Sequence, residues 1–243
     1  LGADFIASGH YVRLNRKEDG EVQLLRGVDK SKDQAYVLHV LDQTQLRQSL
    51  FPVGGYPKSE IRELARKFNL PVAEKSDSQD LCFLSGGDYR DFLREYAPQT
   101  TIRGEIITSA GKILGEHEGL AFYTIGQRKG LGVSAPNPLY VLAKDIASNR
   151  LVVGEAEELG GSEMLVDKIN WISGKAPENV FRAEVKIRYA AREAWAEIMP
   201  VDGSQAQIRF DAPQRDITPG QAAVFYDGEI CLGGGMIQKS IGE

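Results

Sequence analysis

The sequence has 243 residues, 42% of them hydrophobic and 26% charged, which are the proportions of an ordinary globular protein of one to three domains. A formal net charge of −5 disfavours a broad nucleic-acid surface without excluding a local basic patch. Two cysteines are too few for a disulfide framework, no Cys/His cluster has zinc spacing, and no apolar run approaches the ~20 residues needed to cross a bilayer, so a reducing cytoplasm is the expected setting.

In chain order, Phe5-Ile6-Ala7 is a short apolar run before Gly9 and is expected as a central, buried strand. Leu1, not Met, stands first, and the opening reads as already inside a domain, so the chain is expected to be the tail of a longer protein. His10, at the strand end, is either a ligand contact or a hydrogen-bonded structural histidine. Residues 11–14 and 22–27 form an expected hairpin about Asp19-Gly20. Lys30-Ser31-Lys32-Asp33-Gln34 is a solvated loop or a ligand-facing cluster, and the run over 36–40 is helix or strand. Helices are expected over 43–50, capped by Asp42, and over 57–68, stopped by Asn69 and Pro71. Residues 1–83 thus read as the end of an alternating α/β domain.

Cys82 lies in the polar stretch Lys75-Ser76-Asp77-Ser78-Gln79-Asp80-Leu81-Cys82-Phe83, followed by Ser85-Gly86-Gly87. It is an accessible nucleophilic thiol or a small buried hydrophobe, and this segment leaves both open. Asp88 is expected to cap a helix through Tyr96. From Gly104 the pattern turns to strands, with hairpins over 105–114 and 140–153. Between them, Gly126-Gln127-Arg128-Lys129-Gly130-Leu131-Gly132 places two cations between glycines that let the backbone approach a partner.

After an acidic, Gly-rich linker over 155–162, strands are expected over 164–171, 180–189, 194–199, 206–210, 222–226 and 229–238. Asp202-Gly203 and Asp227-Gly228 mark turns. About six strands in roughly 80 residues read as a small barrel or sandwich. Arg182, Glu184, Lys186 and Arg188 share one strand face, from which Lys186 and Arg188 are expected to track phosphates. Gly233-Gly234-Gly235 suggests a bulge or close packing, and Cys231 is expected to be buried.

These stretches together resemble the tRNA-specific 2-thiouridylase family (MnmA, also called TrmU). The likeness rests on Ser8-Gly9-His10-Tyr11, Lys32-Asp33-Gln34, Asp77-Ser78-Gln79-Asp80-Leu81-Cys82-Phe83, Thr124-Ile125-Gly126-Gln127-Arg128-Lys129-Gly130-Leu131-Gly132, Val185-Lys186-Ile187-Arg188-Tyr189, Thr218-Pro219-Gly220-Gln221 and Cys231-Leu232-Gly233-Gly234-Gly235, in that order. The resemblance implies a multidomain α/β plus β protein. Residues 1–98 would be the C-terminal remnant of an ATP-pyrophosphatase domain (Rossmann-like, adenine-nucleotide alpha-hydrolase-like), 99–162 a small central β domain that binds tRNA, and 163–243 a C-terminal β-barrel.

The resemblance also implies a reaction. ATP, with Mg as its counter-ion, activates the wobble uridine carbonyl of tRNA as an adenylate. A persulfide on a cysteine, loaded by a sulfur-relay partner, delivers sulfur to give 2-thiouridine, and a second cysteine releases it through a transient disulfide. Cys82 matches the persulfide carrier and Gly9 a backbone position at the adenine nucleotide. His10, Lys32, Asp33, Gln34, Arg188, Tyr189 and Gln221 match tRNA-binding positions, to which the loop adds Gln127, Arg128 and Lys129. No Ser-Gly-Gly-x-Asp-Ser phosphate loop is present, and Ser85-Gly86-Gly87-Asp88 is an accidental likeness to it. That loop and the other catalytic cysteine are expected upstream of Leu1, so this chain is not expected to thiolate tRNA alone. Two further readings are a tRNA-binding module without catalysis and a cysteine sulfur carrier that does not use tRNA.

Overall fold

The computed structural model describes residues 2–71, 73–74, 88–215 and 217–241, with the side chain of residue 241 excepted. By contacts the chain forms two compact units. One takes Leu1–Lys75, Gly161–Gln214 and Pro219–Glu243, and the other takes Ser76–Gly160 and Arg215–Thr218.

The first unit begins with β1 (Ile6–Ala7), β2 (Val12–Arg16) and β3 (Val22–Arg26), then α1 (Ala35–Leu38), α2 (Gln43–Arg47), β4 (Ser49–Leu50) and α3 (Lys58–Lys67). The expected hairpin is β2–β3, turning at Gly20 with φ 85°. The ambiguous run is helical, because the Asp33 carboxylate accepts from the Ala35 N–H at 3.1 Å and starts the turn. Asp42 and Gln45 form a reciprocal capping box on α2. That helix stops at Arg47, short of the expected end, because the next backbone joins β1: the Ile6 N–H donates to Gln48 O at 2.8 Å and the Ser8 N–H to Leu50 O at 3.0 Å. Asn69, at φ 52°, ends the chain's run out of α3.

The strand expected to be buried at 5–7 is a correction. β1 pairs in parallel with β4 alone, and Ile6 is 74% exposed. A parallel strand is buried only where helices cover both faces, and the described residues do not cover them.

The second unit opens with α4 (Tyr89–Tyr96), capped by Asp88 through the Arg90 N–H. Four strands follow: β5 (Gly104–Thr108), β6 (Ile113–His117), β7 (Tyr140–Asp145) and β8 (Arg150–Gly154). Both expected hairpins form, and a parallel β5–β8 pairing joins them in the order β6-β5-β8-β7. The core is Ile106, Phe122, Tyr123, Leu131, Val141, Leu151 and Val153. Each such side chain contributes about 1.5–3 kcal/mol by leaving water. His117 is buried. Its Nδ1 accepts from the Gly119 N–H at 3.1 Å, which leaves Nε2 to donate to Asn149 O at 3.1 Å.

The first unit resumes with β9 (Gly161–Trp171), β10 (Phe181–Lys186), β11 (Ala194–Pro200), β12 (Ala206–Gln214), β13 (Ala222–Asp227) and β14 (Ile230–Ile241). Their order is β13-β10-β11-β12-β9-β14, and the β13–β14 pairing closes a six-stranded antiparallel barrel. Ala183 and Val185 of β10 point inward while Arg182, Glu184 and Lys186 alternate with them, as a period of two requires. This strand ends at Lys186, three residues before the expected end. At Gly233, with φ 151°, a Cβ would lie 2.4 Å from Asn170 O, so β14 packs on β9 more closely than a side chain allows. The β2–β3 hairpin extends the barrel sheet, since Leu24 and Leu25 pair with Cys231 and Ile230. Val12, Val22 and Leu24 share one core with Leu46, Tyr226 and Cys231.

Candidate functional site

In the first unit, α1 and the residues before it gather most of the predicted positions. Gln34 is tied to Tyr11 twice: its side-chain oxygen accepts the Tyr11 N–H at 2.9 Å, and its own N–H donates to Tyr11 O at 3.1 Å. This holds His10, next in the chain, beside it. The His10 ring lies edge-on to Phe51, centroids 6.4 Å apart, and its Nδ1 is 2.9 Å from Ser8 Oγ. Asp33 is buried at 8% exposure. One carboxylate oxygen accepts from the N–H groups of Gly27 and Ala35, and the other is buried without a hydrogen-bond partner among the described residues.

Tyr36, which the sequence reading passed over, connects this segment to the barrel. Its hydroxyl donates to Ala222 O at 2.9 Å, beside Gln221, and its ring meets Tyr189 edge-on at 6.1 Å. Burial raises its pKa, and the nearby Arg188 cation opposes that rise. Tyr189 is 49% exposed, Arg188 and Lys32 are half-buried, and the Gln221 side chain is exposed. His10, Lys32, Asp33, Gln34, Arg188, Tyr189 and Gln221 therefore lie on segments joined through Tyr11 and Tyr36. His39 is also buried. Its Nδ1 is 2.7 Å from Tyr36 O, and burial lowers its pKa.

Lys186 behaves otherwise than expected. It reaches Glu193 at 3.5 Å, and Glu193 also takes Arg26 at 2.6 Å. The Arg26 guanidinium lies 3.7 Å over the Tyr226 ring. With its ammonium turned to a carboxylate, Lys186 is a member of a half-buried ion network. Cys231 is fully buried, and burial pushes its thiol up to about 12, so it stays protonated and unreactive. Cys82 lies outside the described residues.

In the second unit, the glycine-bracketed loop is fixed by β7 and by its own residues. The Gly126 N–H donates to Val141 O at 2.8 Å, and the Val141 N–H returns to Gln127 O at 3.0 Å. The Gln127 side chain accepts from the Thr124 N–H and donates to Lys129 O. Gly126, Gly130 and Gly132 take φ of 83°, 76° and 73°, which accounts for glycine at those turns. Arg128 and Lys129 stand exposed. Arg128, Leu131, Val133, Pro136 and Leu139 line an adjoining cleft of about 400 Å³.

Gly9 is exposed, and a Cβ on it would meet nothing within 4 Å, so the backbone there is open to a ligand. An open backbone of this kind leaves room for a flat ring, whereas the sequence holds no Ser-Gly-Gly-x-Asp-Ser loop for nucleotide phosphates. Among the described residues, no group of three or more His, Cys, Asp or Glu is placed to hold a metal ion.

Three family profiles match consecutive parts of the chain. They are the tRNA methyl transferase HUP domain over residues 1–86, the tRNA methyl transferase PRC-barrel domain over 90–155 and the aminomethyltransferase beta-barrel domain over 161–237. The first matches the α/β segment as a Rossmann-like remnant. Among similar curated proteins, the tRNA-specific 2-thiouridylase MnmA of Trichormus variabilis is 47% identical over 98% of this chain and 68% of its own length. That of Geotalea uraniireducens is 44% identical over 99% of this chain and 64% of its own length. MnmA 1 of a Thermoanaerobacter species is 47% identical over 99% and 66%. The chain thus spans about two thirds of the length of these relatives.

Proposed function

We propose, from the fact that the chain belongs to the MnmA family of tRNA-specific 2-thiouridylases, that it is the part of such an enzyme that holds tRNA and presents the sulfur-carrying thiol. The observation that carries this reading is the convergence around Tyr36, where the Lys32–Gln34 segment, Arg188-Tyr189 and the Gln221-Ala222 backbone come together in one unit. Half-buried and exposed cations and an exposed aromatic ring are the groups that meet RNA phosphates and unstacked bases. Arg128 and Lys129 add a second basic contact on the fixed loop. In this reading Asp33, Gln34 and Gln127 position those groups, and Lys32, Arg188, Tyr189, Gln221, His10, Arg128 and Lys129 face the RNA.

Cys82 is the thiol that carries the persulfide, loaded by a sulfur-relay protein. Its outer sulfur is the nucleophile that displaces the activated uridine oxygen, and a second thiol then breaks the S–S bond, leaving a disulfide with Cys82 and freeing 2-thiouridine. Cys231 is no second thiol for sulfur release, because a group held up to about 12 supplies no thiolate near neutrality. ATP supplies activation of the carbonyl when bound, and among the described residues Gly9 is the position matched to its adenine side.

Two measurements test the proposal. Filter binding of this chain to tRNA over a salt series should give a falling log–log line, flattened by Arg188→Ala and by Arg128→Ala, and a flat wild-type response would refute phosphate contact. In the full-length enzyme Cys82→Ser should abolish 2-thiouridine formation while leaving tRNA affinity unchanged. Modified tRNA at the normal rate would end the assignment of Cys82.

A further inference from the structure

Lys144 lies on β7 in the second unit, half-buried, and its ammonium donates to Tyr123 O at 3.2 Å. It makes no ion pair with any described residue. Burial lowers its pKa, and among the described residues no carboxylate counters the effect. It lines a cleft of about 430 Å³, large enough for one nucleotide. Gln99 and Thr100 form one polar side of the cleft, while Ile102, Leu120 and Ile146 supply its apolar wall. Thr100 donates its hydroxyl proton to Ala97 O, so its oxygen is left as an acceptor. Ile102 is 60% exposed and Ile146 82% exposed, so the wall continues onto the surface.

A cation withdrawn from water without a countercharge is costly, and the cost is relieved by an anion that enters with it. The apolar wall requires that this anion bring a flat or apolar body. We infer that this cleft binds a single unstacked nucleotide of RNA, with its phosphate on Lys144 and its base against Ile102, Leu120 and Ile146. This rests on the tRNA-binding reading and adds a contact apart from the 126–132 loop. Sequence inspection gives no hint of it, because Lys144 stands in the ordinary alternation of Tyr140–Asp145.

The test is a lysine acylation footprint of this chain, read by mass spectrometry alone, with saturating tRNA and with uridine monophosphate. Lys144 should react at least ~3-fold more slowly with tRNA, and little more slowly with the mononucleotide at the same nucleotide concentration. Lys144→Met, which keeps the stem's bulk, should weaken binding of a short oligouridylate about five- to tenfold and lower its salt slope by about 0.7. Unchanged Lys144 reactivity under tRNA that protects Lys129 overturns this inference and leaves the functional reading intact. Equal protection by the free nucleotide overturns the assignment to RNA. Failure of tRNA to bind the chain at all overturns both.

Discussion

In the segment around α1, Asp33 and Gln34 direct their polar atoms inward, to Gly27, Ala35 and Tyr11. In the 126–132 loop only Gln127 turns inward, and Arg128 and Lys129 stand in solvent. The same kind of sequence signal, a short polar motif, thus marks a scaffold in one unit and a presented charge in the other. In the first, substitution should cost stability, and binding only through it. In the second, substitution should cost binding with the fold intact.

The largest effect that would sharpen this contrast is Asp33→Ala. It strips the acceptor from two backbone N–H groups and should destabilise the first unit by about 2–3 kcal/mol in urea unfolding. A loss below ~0.5 kcal/mol would break the contrast.

His39 gives the next effect, through pH. Its pKa is lowered in the folded state, so below about 6.5 the unfolded chain takes up a proton that the folded chain resists. Stability is full above that value and falls as pH drops toward the depressed folded pKa, by at most about 1.4 kcal/mol per pH unit. Melting temperatures at pH 7.5 and 5.5 should show His39→Gln losing less on acidification than the wild type.

Tyr36→Phe keeps the ring against Tyr189 and removes the bond to Ala222 O, which should cost roughly 1 kcal/mol of stability. The smallest stability effect is expected from Arg128→Ala with Lys129→Ala, within about 0.5 kcal/mol of the parent. The same double variant should lower the tRNA salt slope by roughly 1.4–1.8. Destabilisation well beyond that would move the loop into the scaffold class.

The barrel was legible because its cues are local. Alternation fixed the faces of β10, and Asp227-Gly228 turned β13 into β14, with Gly228 at φ 55°. The capping of α2 by Asp42 and of α4 by Asp88 was legible for the same reason. What escaped was set by distant partners. No local pattern announces that β3 pairs with β14, that β5 pairs in parallel with β8, or that Lys186 meets Glu193. The candidate site divides the same way. Residue types suited to RNA could be read from the motifs, whereas the burial of Asp33 and the connecting role of Tyr36 depend on contacts with Gly27 and Ala222. The reading of Cys82 falls on residues outside the description.

The pairing of β3 with β14 has a bearing on biosynthesis. Arg26 bonds to Gly228 O across 202 residues of chain, so the β2–β3 hairpin emerges from the ribosome long before its edge partner exists. Until then its outer edge and the apolar faces of Val22 and Leu24 have no barrel to cover them. Contacts of such long span slow folding, so this hairpin waits through most of the chain's synthesis with an uncovered apolar face.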